Sequence, residues 1–274
     1  MPRIVFSHAN SFPASTYRVM FEELRRRGFD VAAVPQFGHD ERYPVTNNWP
    51  HLVQQLADFA QAQQQKASGE PAFLVGHSLG GFLSVMTASR HPQLARGVLL
   101  LDSPLLGGWR ASALDVAKRT QLVGAVSPGK ISRARRNSWA STEEALEHFS
   151  RKKAFMHWDR QVLRDYVAHG LRDHEGQRVL AFDRDVETAI YNTLPHDFAP
   201  MLRQHPLRCP AAFIGGLASQ ELRQVGMAMT QRITQGRIAL VDGSHLFPME
   251  KPVATAAAIE AALLNLAHVQ NAGG

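Results

Sequence analysis

Short apolar runs without polar interruption recur along the chain. Ile4-Val5-Phe6, Val31-Ala32-Ala33-Val34, Ala72-Phe73-Leu74-Val75, Gly97-Val98-Leu99-Leu100-Leu101, Ala211-Ala212-Phe213-Ile214 and Ile238-Ala239-Leu240-Val241 all have this form. Unbroken rather than alternating hydrophobicity marks strands covered on both faces, as in a parallel sheet. Helical patterns lie between them, over Tyr17 to Arg27, Trp49 to Lys66, Gly81 to Arg90 and Val253 to Val269. The first stops at Gly28, a residue suited to a helix C-terminus. Strands alternating with helices predict an open α/β sheet.

One stretch breaks the rhythm. About a hundred residues separate Leu101 from Ala211, too many for a simple crossover. They contain no convincing buried strand and read as amphipathic helices punctuated at Gly107-Gly108, Ser127-Pro128-Gly129 and Leu194-Pro195. The expected organisation is a core of residues 1–104 and 206–274, with 105–205 inserted as a helical lid, or cap, over the sheet.

Composition narrows the picture further. The hydrophobic share of 45% is that of an ordinary globular chain. A single Cys excludes a disulfide scaffold and a Cys-based zinc cluster, and Cys209, beside Pro210, reads as a packing residue. No H-E-x-x-H or comparable ligand spacing occurs, so no metal and no cofactor are expected. Nothing approaches 18 consecutive apolar residues, so no membrane span is expected. The start, Met1-Pro2-Arg3-Ile4-Val5-Phe6, lacks the apolar core of a secretory signal, and a cytoplasmic location is the expectation. The net charge is +6, and residues 105–205 hold 16 Lys and Arg against 12 Asp and Glu. The excess therefore belongs mainly to the insertion, in clusters such as Arg133-Ala134-Arg135-Arg136 and Arg151-Lys152-Lys153. These read as solvated helix faces, or as steering for an anionic substrate. No nucleic-acid recognition motif accompanies them.

The segment Phe73-Leu74-Val75-Gly76-His77-Ser78-Leu79-Gly80-Gly81 carries the chemistry. A G-x-S-x-G string between an apolar strand and a helix lifts a serine hydroxyl above the sheet on a strained turn. Gly76 and Gly80 are expected where a Cβ would crowd that turn. The following helix aims its N-terminal amides at the reacting oxygen. Ser78 is thus the candidate nucleophile, and the His77 side chain is expected to pack away from it. A serine needs a base to take its proton. His245, in the loop between the last apolar strand and the last helix, lies at the same carboxyl edge of the sheet. Two carboxylates could hold its imidazole. Asp102, directly after Leu101, is preferred, and Glu221, after Gly215-Gly216, is the alternative; Asp242 is too near His245 in sequence. The oxyanion hole is expected from the amides of Leu79 and of Asn10, in the loop Ser7-His8-Ala9-Asn10-Ser11-Phe12.

These residues resemble the α/β-hydrolase superfamily along nearly the whole chain. Gly76-His77-Ser78-Leu79-Gly80-Gly81 looks like its nucleophile elbow. Ser7-His8-Ala9-Asn10 is similar to its His-Gly-x oxyanion loop, with Ala9 for glycine. Gly243-Ser244-His245 with Glu250-Lys251-Pro252 resembles its closing histidine motif. Members often carry the acid in a Gly-x-x-Asp pattern after the penultimate strand; here no carboxylate follows Gly216 until Glu221. The chain also begins almost at the family's third strand, so the resemblance implies a shortened, mostly parallel sheet of about six strands.

The resemblance implies a serine hydrolase acting on a small-molecule carboxylic ester or thioester. The same triad would serve a C–C bond hydrolase or a perhydrolase, and a non-catalytic ligand-binding protein on this fold is the alternative of a different class. Serine rather than aspartate at the elbow argues against epoxide-hydrolase and dehalogenase chemistry. Aromatic residues of the insertion, Trp109, Trp139, Trp158, Phe149, Phe155, Phe182 and Tyr191, are expected mostly to pack, with some facing the ligand.

Overall fold

The computed structural model describes residues 1–66, 69–107 and 129–272; Trp109 and the expected turns at Gly108 and Ser127-Pro128 lie outside them. Each apolar run forms a strand. These are β1 (Arg3–Ser7), β2 (Asp30–Ala33), β3 (Ala72–His77) and β4 (Ala95–Leu101), then, past the insertion, Ala211–Gly216 and Ile238–Val241. They make one six-stranded sheet, and every neighbouring pair is parallel. The core strands are sealed on both faces, as the unbroken runs require. Every residue of β3 is buried, and so is every residue of 211–216.

Helices α1 (Arg18–Arg26), α2 (Pro50–Lys66) and α3 (Leu79–Arg90) follow the first three strands. In the insertion lie α4 (Gly129–Ala134), α5 (Thr142–Ser150), α6 (Arg160–His169), α7 (Arg184–Asn192) and α8 (Phe198–Gln204). The chain closes with α9 (Gln220–Val225), α10 (Ala228–Thr234), α11 (Phe247–Glu250) and α12 (Pro252–Ala272). Helix α12 is more apolar than the sequence pattern suggests. Over Pro252–Val269 its mean hydropathy is 1.4, long and apolar enough to cross a membrane by length and composition. Counting consecutive apolar residues misses this, because Thr255, Glu260 and Asn265 interrupt the run. In the fold, Ala256, Ile259, Leu263 and Leu266 are buried in the hydrophobic cluster that includes Phe73, Leu99 and Ala212 of the sheet. On another side of α12, Glu260 pairs with Arg27 at 2.6 Å.

The insertion is not purely helical, which corrects an expectation. Ser138–Trp139 (β5), Leu171–His174 (β6) and Gln177–Leu180 (β7) form a separate antiparallel sheet, ordered β5-β7-β6. The two core strands beyond the insertion are accordingly β8 (Ala211–Gly216) and β9 (Ile238–Val241). The small sheet was invisible as an apolar run because it is short and wet: three of the four β6 residues are exposed. Trp139, Phe149, Trp158 and Tyr166 of the insertion share one hydrophobic cluster with Ile4, Phe6 and Tyr17 of the core. Phe12, in the loop after β1, meets Phe155, Trp158 and Tyr166 edge-on. Aromatic packing thus ties the insertion to the loops at the carboxyl ends of the strands.

Candidate active site

Register places the site. His77 pairs with Leu101 across β3 and β4, so the next residues, Ser78 and Asp102, leave neighbouring strand ends together. Ser78 N–H still donates to Leu101 O, and Asp102 N–H to Ile214 O on β8. Gly216 then pairs with Val241 at the end of β9, just before the loop that bears His245. Ser78 stands at φ 52°, ψ −116°, a strained conformation for a residue with a side chain. The crowding inferred for the turn is real. A Cβ on Gly76 would lie 2.0 Å from Gly80 O, one on Gly80 2.0 Å from Ser7 O, and one on Gly81 2.1 Å from Ser103 Oγ. Backbone fills the first two places, so only hydrogen fits there.

The structure brings Ser78, His245 and Asp102 into one line. Ser78 Oγ donates to His245 Nε2 at 3.1 Å, and His245 Nδ1 donates to Asp102 Oδ2 at 2.7 Å. Asp102 is fully buried and holds φ 43°. Its Oδ1 accepts from Gly216 N–H at 2.8 Å, and Ser219 Oγ donates to Oδ2 at 2.6 Å. Burial works to raise this carboxyl, but the hydrogen bonds from His245, Ser219 and Gly216 outweigh it and hold the group below the usual carboxylate range. Glu221 sits farther out, half-exposed, with Oε2 3.8 Å from Nδ1. Asp102 therefore holds the imidazole, and Glu221 adds charge beside it. Burial opposes protonation of His245, but the Asp102 hydrogen bond and the Glu221 and Glu250 charges raise it above its ordinary value. Ligand atoms of Asp102, Glu221 and His245 gather within 4.8 Å. Within that cluster Nδ1 and Oδ2 are hydrogen-bonded to each other.

The two amides expected for the oxyanion hole, those of Leu79 and Asn10, open on the same site. Among the described residues, Leu79 N–H and Asn10 N–H donate to no protein acceptor. Both residues flank Ser78: Leu79 opens α3, and Asn10 lines the same cavity. His77 packs away from the nucleophile, as expected. It is fully buried, its Nδ1 accepts from Tyr17 OH at 2.8 Å, and its Nε2 donates to His245 O at 2.9 Å. Tyr17 OH also accepts from Ala9 N–H at 3.0 Å. The chain from Ala9 through Tyr17 and His77 to the His245 carbonyl joins the three loops of the site. Burial drives the His77 imidazole down to about 3, so it stays neutral. His8, equally buried, is lowered to about 4, its Nε2 accepting from Phe37 N–H.

A cavity of about 440 Å³ opens over Ser78. The loop after β1 and the His245 loop line it from below, and Lys153, His157 and Tyr191 of the insertion from above. Of the insertion aromatics, Tyr191 faces the cavity, while Trp139, Trp158, Phe149 and Phe182 are buried in packing. The half-buried Cys209 lies outside it, its thiol raised to about 12 by burial.

Sequence reasoning missed Tyr17 and Ser219. Ser219 was legible only as a helix cap, since its Oγ accepts from Leu222 N–H. Nothing local shows that the same hydroxyl reaches Asp102, 117 positions away.

Residues 4–258 match the family described as "Alpha/beta hydrolase family". A Mycobacterium phage D29 protein carrying the name of a non-heme haloperoxidase is 27% identical over 96% of this chain and 88% of its own. Among solved structures, E-2-(acetamidomethylene)succinate hydrolase superposes with a TM-score of 0.70 at 22% identity, over 96% of this chain and 91% of that one. The thioesterase domain from the curacin biosynthetic pathway does so with a TM-score of 0.67 at 17% identity, over 94% and 90%.

Proposed function

The chain belongs to the alpha/beta hydrolase family, and from that premise we propose that it is a serine hydrolase that cleaves a small-molecule carboxylic ester or thioester. The observation that carries this reading is the line Ser78 Oγ, His245 Nε2, His245 Nδ1, Asp102 Oδ2, with hydrogen bonds of 3.1 and 2.7 Å. Ser78 Oγ attacks the carbonyl carbon while its proton passes to His245 Nε2. The carbonyl oxygen gains the negative charge and rests against the Leu79 and Asn10 amides. The bond to the leaving oxygen or sulfur then breaks, and His245 returns its proton to that atom. Water, deprotonated by His245, next attacks the acyl carbon and frees Ser78. Asp102 keeps Nδ1–H donating, so Nε2 remains the basic nitrogen throughout.

In this reading residues 105–205 act as a lid over the core of 1–104 and 206–274, and Tyr191, Lys153 and His157 shape the acyl or leaving-group side of the cavity. The name of the phage relative favours a second reading, in which hydrogen peroxide replaces water as the acyl acceptor at the same triad.

The test is covalent labelling by a fluorophosphonate probe, with mass spectrometry of the Ser78 peptide and turnover of p-nitrophenyl esters. Labelling at Ser78, and a fall of about four orders of magnitude or more in kcat in Ser78→Ala, are expected. Full turnover by Ser78→Ala would refute the reading.

A further inference from the structure

One residue of the insertion grips two consecutive residues of the loop after β1. Glu187, on α7, is buried, with only 4% of its surface exposed. Its main-chain carbonyl accepts from Asn10 Nδ2 at 3.1 Å, and its Oε1 accepts from Ser11 Oγ at 2.5 Å. The Arg135 guanidinium faces the same carboxylate, 3.3 Å from each oxygen. One turn further along α7, Tyr191 lines the cavity beside Asn10 and Ser78.

The loop needs such a hold. Ser11 sits at φ 76°, a region a residue with a side chain rarely enters unless its surroundings impose it. Ala9 is tied on one side, through Tyr17 OH and the Phe12 N–H bond to its carbonyl. Asn10 has no comparable tie to its own loop: among the described residues its N–H has no protein acceptor and its buried Oδ1 has no partner. An oxyanion-hole donor works only if it is aimed before charge develops. The Glu187–Arg135 pair also needs a reason other than stability, because a buried ion pair can often be replaced by apolar side chains without loss. Burial pushes the Glu187 carboxyl upward, against the pull of Arg135 and Ser11.

We propose that Glu187 is a positioning residue for the oxyanion hole. Its carbonyl and carboxylate fix Asn10 and Ser11 so that Asn10 N–H points at the reacting oxygen, and the hole is complete only while α7 is seated on the loop. This rests on the serine-hydrolase reading above.

The experiment compares the parent with Arg135→Met/Glu187→Leu, which removes the acceptor for Ser11 and leaves apolar side chains of similar bulk. The substrate is p-nitrophenyl butyrate, active sites are titrated with a fluorophosphonate, and phenylboronic acid serves as the tetrahedral mimic. A fall of about ten- to a hundredfold in kcat is expected, somewhat less than deletion of a donor causes. KM should stay within twofold, the inhibition constant for phenylboronic acid should rise in parallel with the loss in kcat, and Tm should remain near that of the parent. Glu187→Gln, which keeps an acceptor for Ser11, should restore most of kcat. A purely structural role would lower Tm and leave kcat per titrated site unchanged, and that result overturns the proposal. Should the double variant fail to fold, Ser11→Ala decides: a several-fold loss of kcat supports the clamp and an unchanged kcat overturns it. If the parent itself is not labelled at Ser78, the serine-hydrolase reading falls and the clamp with it. Labelling with unchanged variant turnover removes the clamp alone.

Discussion

The elbow at residues 76–81 and the insertion helix at 184–192 meet the same cavity, and they are built on opposite principles. The elbow is specified by exclusion: backbone atoms 2.0 Å from the Cβ positions of Gly76 and Gly80 leave room for hydrogen only. The insertion side is specified by polar contacts across a seam, as in Ser11 Oγ to the Glu187 carboxylate, Asn10 Nδ2 to the Glu187 carbonyl and Trp49 Nε1 to Thr193 Oγ1 at 3.0 Å. A steric requirement admits one residue type and one conformation, whereas a hydrogen bond can be made by several residue types. Ser78 therefore sits on the half of the site that cannot adjust, and Tyr191 on the half that can.

The sharpest way to break this contrast is to crowd the elbow. Gly80→Ala should leave little or no folded protein, because the methyl group would collide with the Ser7 carbonyl and β1 cannot retreat from β3. Soluble yield and circular dichroism measure it; a folded, active Gly80→Ala would show that the turn yields after all.

The acid comes next in size. Asp102→Asn should lower kcat by about three to four orders of magnitude by favouring the wrong imidazole tautomer. Glu221→Gln, 3.8 Å from Nδ1 and half-exposed, should cost less than about threefold, in line with an exposed, screened charge. Equal losses in the two variants would mean that Glu221 shares the orienting role.

A smaller effect is on pH dependence. His245 must be neutral at Nε2 to act as base, and its neighbours raise its affinity for a proton. The acid limb of kcat/KM should therefore have its midpoint above 6.5, with activity falling as pH drops through it. Removing the Glu221 charge in Glu221→Gln should move that midpoint to lower pH; an unmoved limb would mean that Asp102 and Glu250 set it without Glu221. The smallest effect is expected on the outer face of the insertion. Arg136 pairs with Glu144 at 2.6 Å, with the two side chains 45% and 40% exposed. Arg136→Ala should barely change Tm, and a marked drop would show that the insertion depends on its surface charges.

Much of this architecture was legible residue by residue. The strands Phe73-Leu74-Val75 and Val98-Leu99-Leu100-Leu101 are unbroken because helices cover both faces, and both fall within the strands observed. The serine in G-x-S-x-G lies where a strand must turn into a helix. The insertion was legible as an interruption filled by helices, but its small sheet was not. Its strands at 171–174 and 177–180 carry Arg172, Asp173, His174, Gln177 and Arg178, and no apolar periodicity betrays a sheet with a wet face. Glu187 lies in the first turn of α7, a common place for an acid, and its polar partners Arg135 and Ser11 are 52 and 176 positions away.

The sequence by itself determined what depends on near neighbours and on pattern: a parallel sheet, a serine on a glycine-walled turn, and a histidine on the last loop at the same edge. Tertiary structure alone decided which of Asp102 and Glu221 hydrogen-bonds His245 Nδ1. Both follow strands and both are carboxylates, so nothing local separates them. The choice lies in the register of β4 against β8, which buries Asp102 beneath His245 Nδ1 at 2.7 Å with Gly216 N–H and Ser219 Oγ to satisfy it. Glu221, on the first turn of α9, is left 3.8 Å away and half in water. A charge can be held that deep only where hydrogen bonds converge on it, and convergence is a property of the fold rather than of any segment.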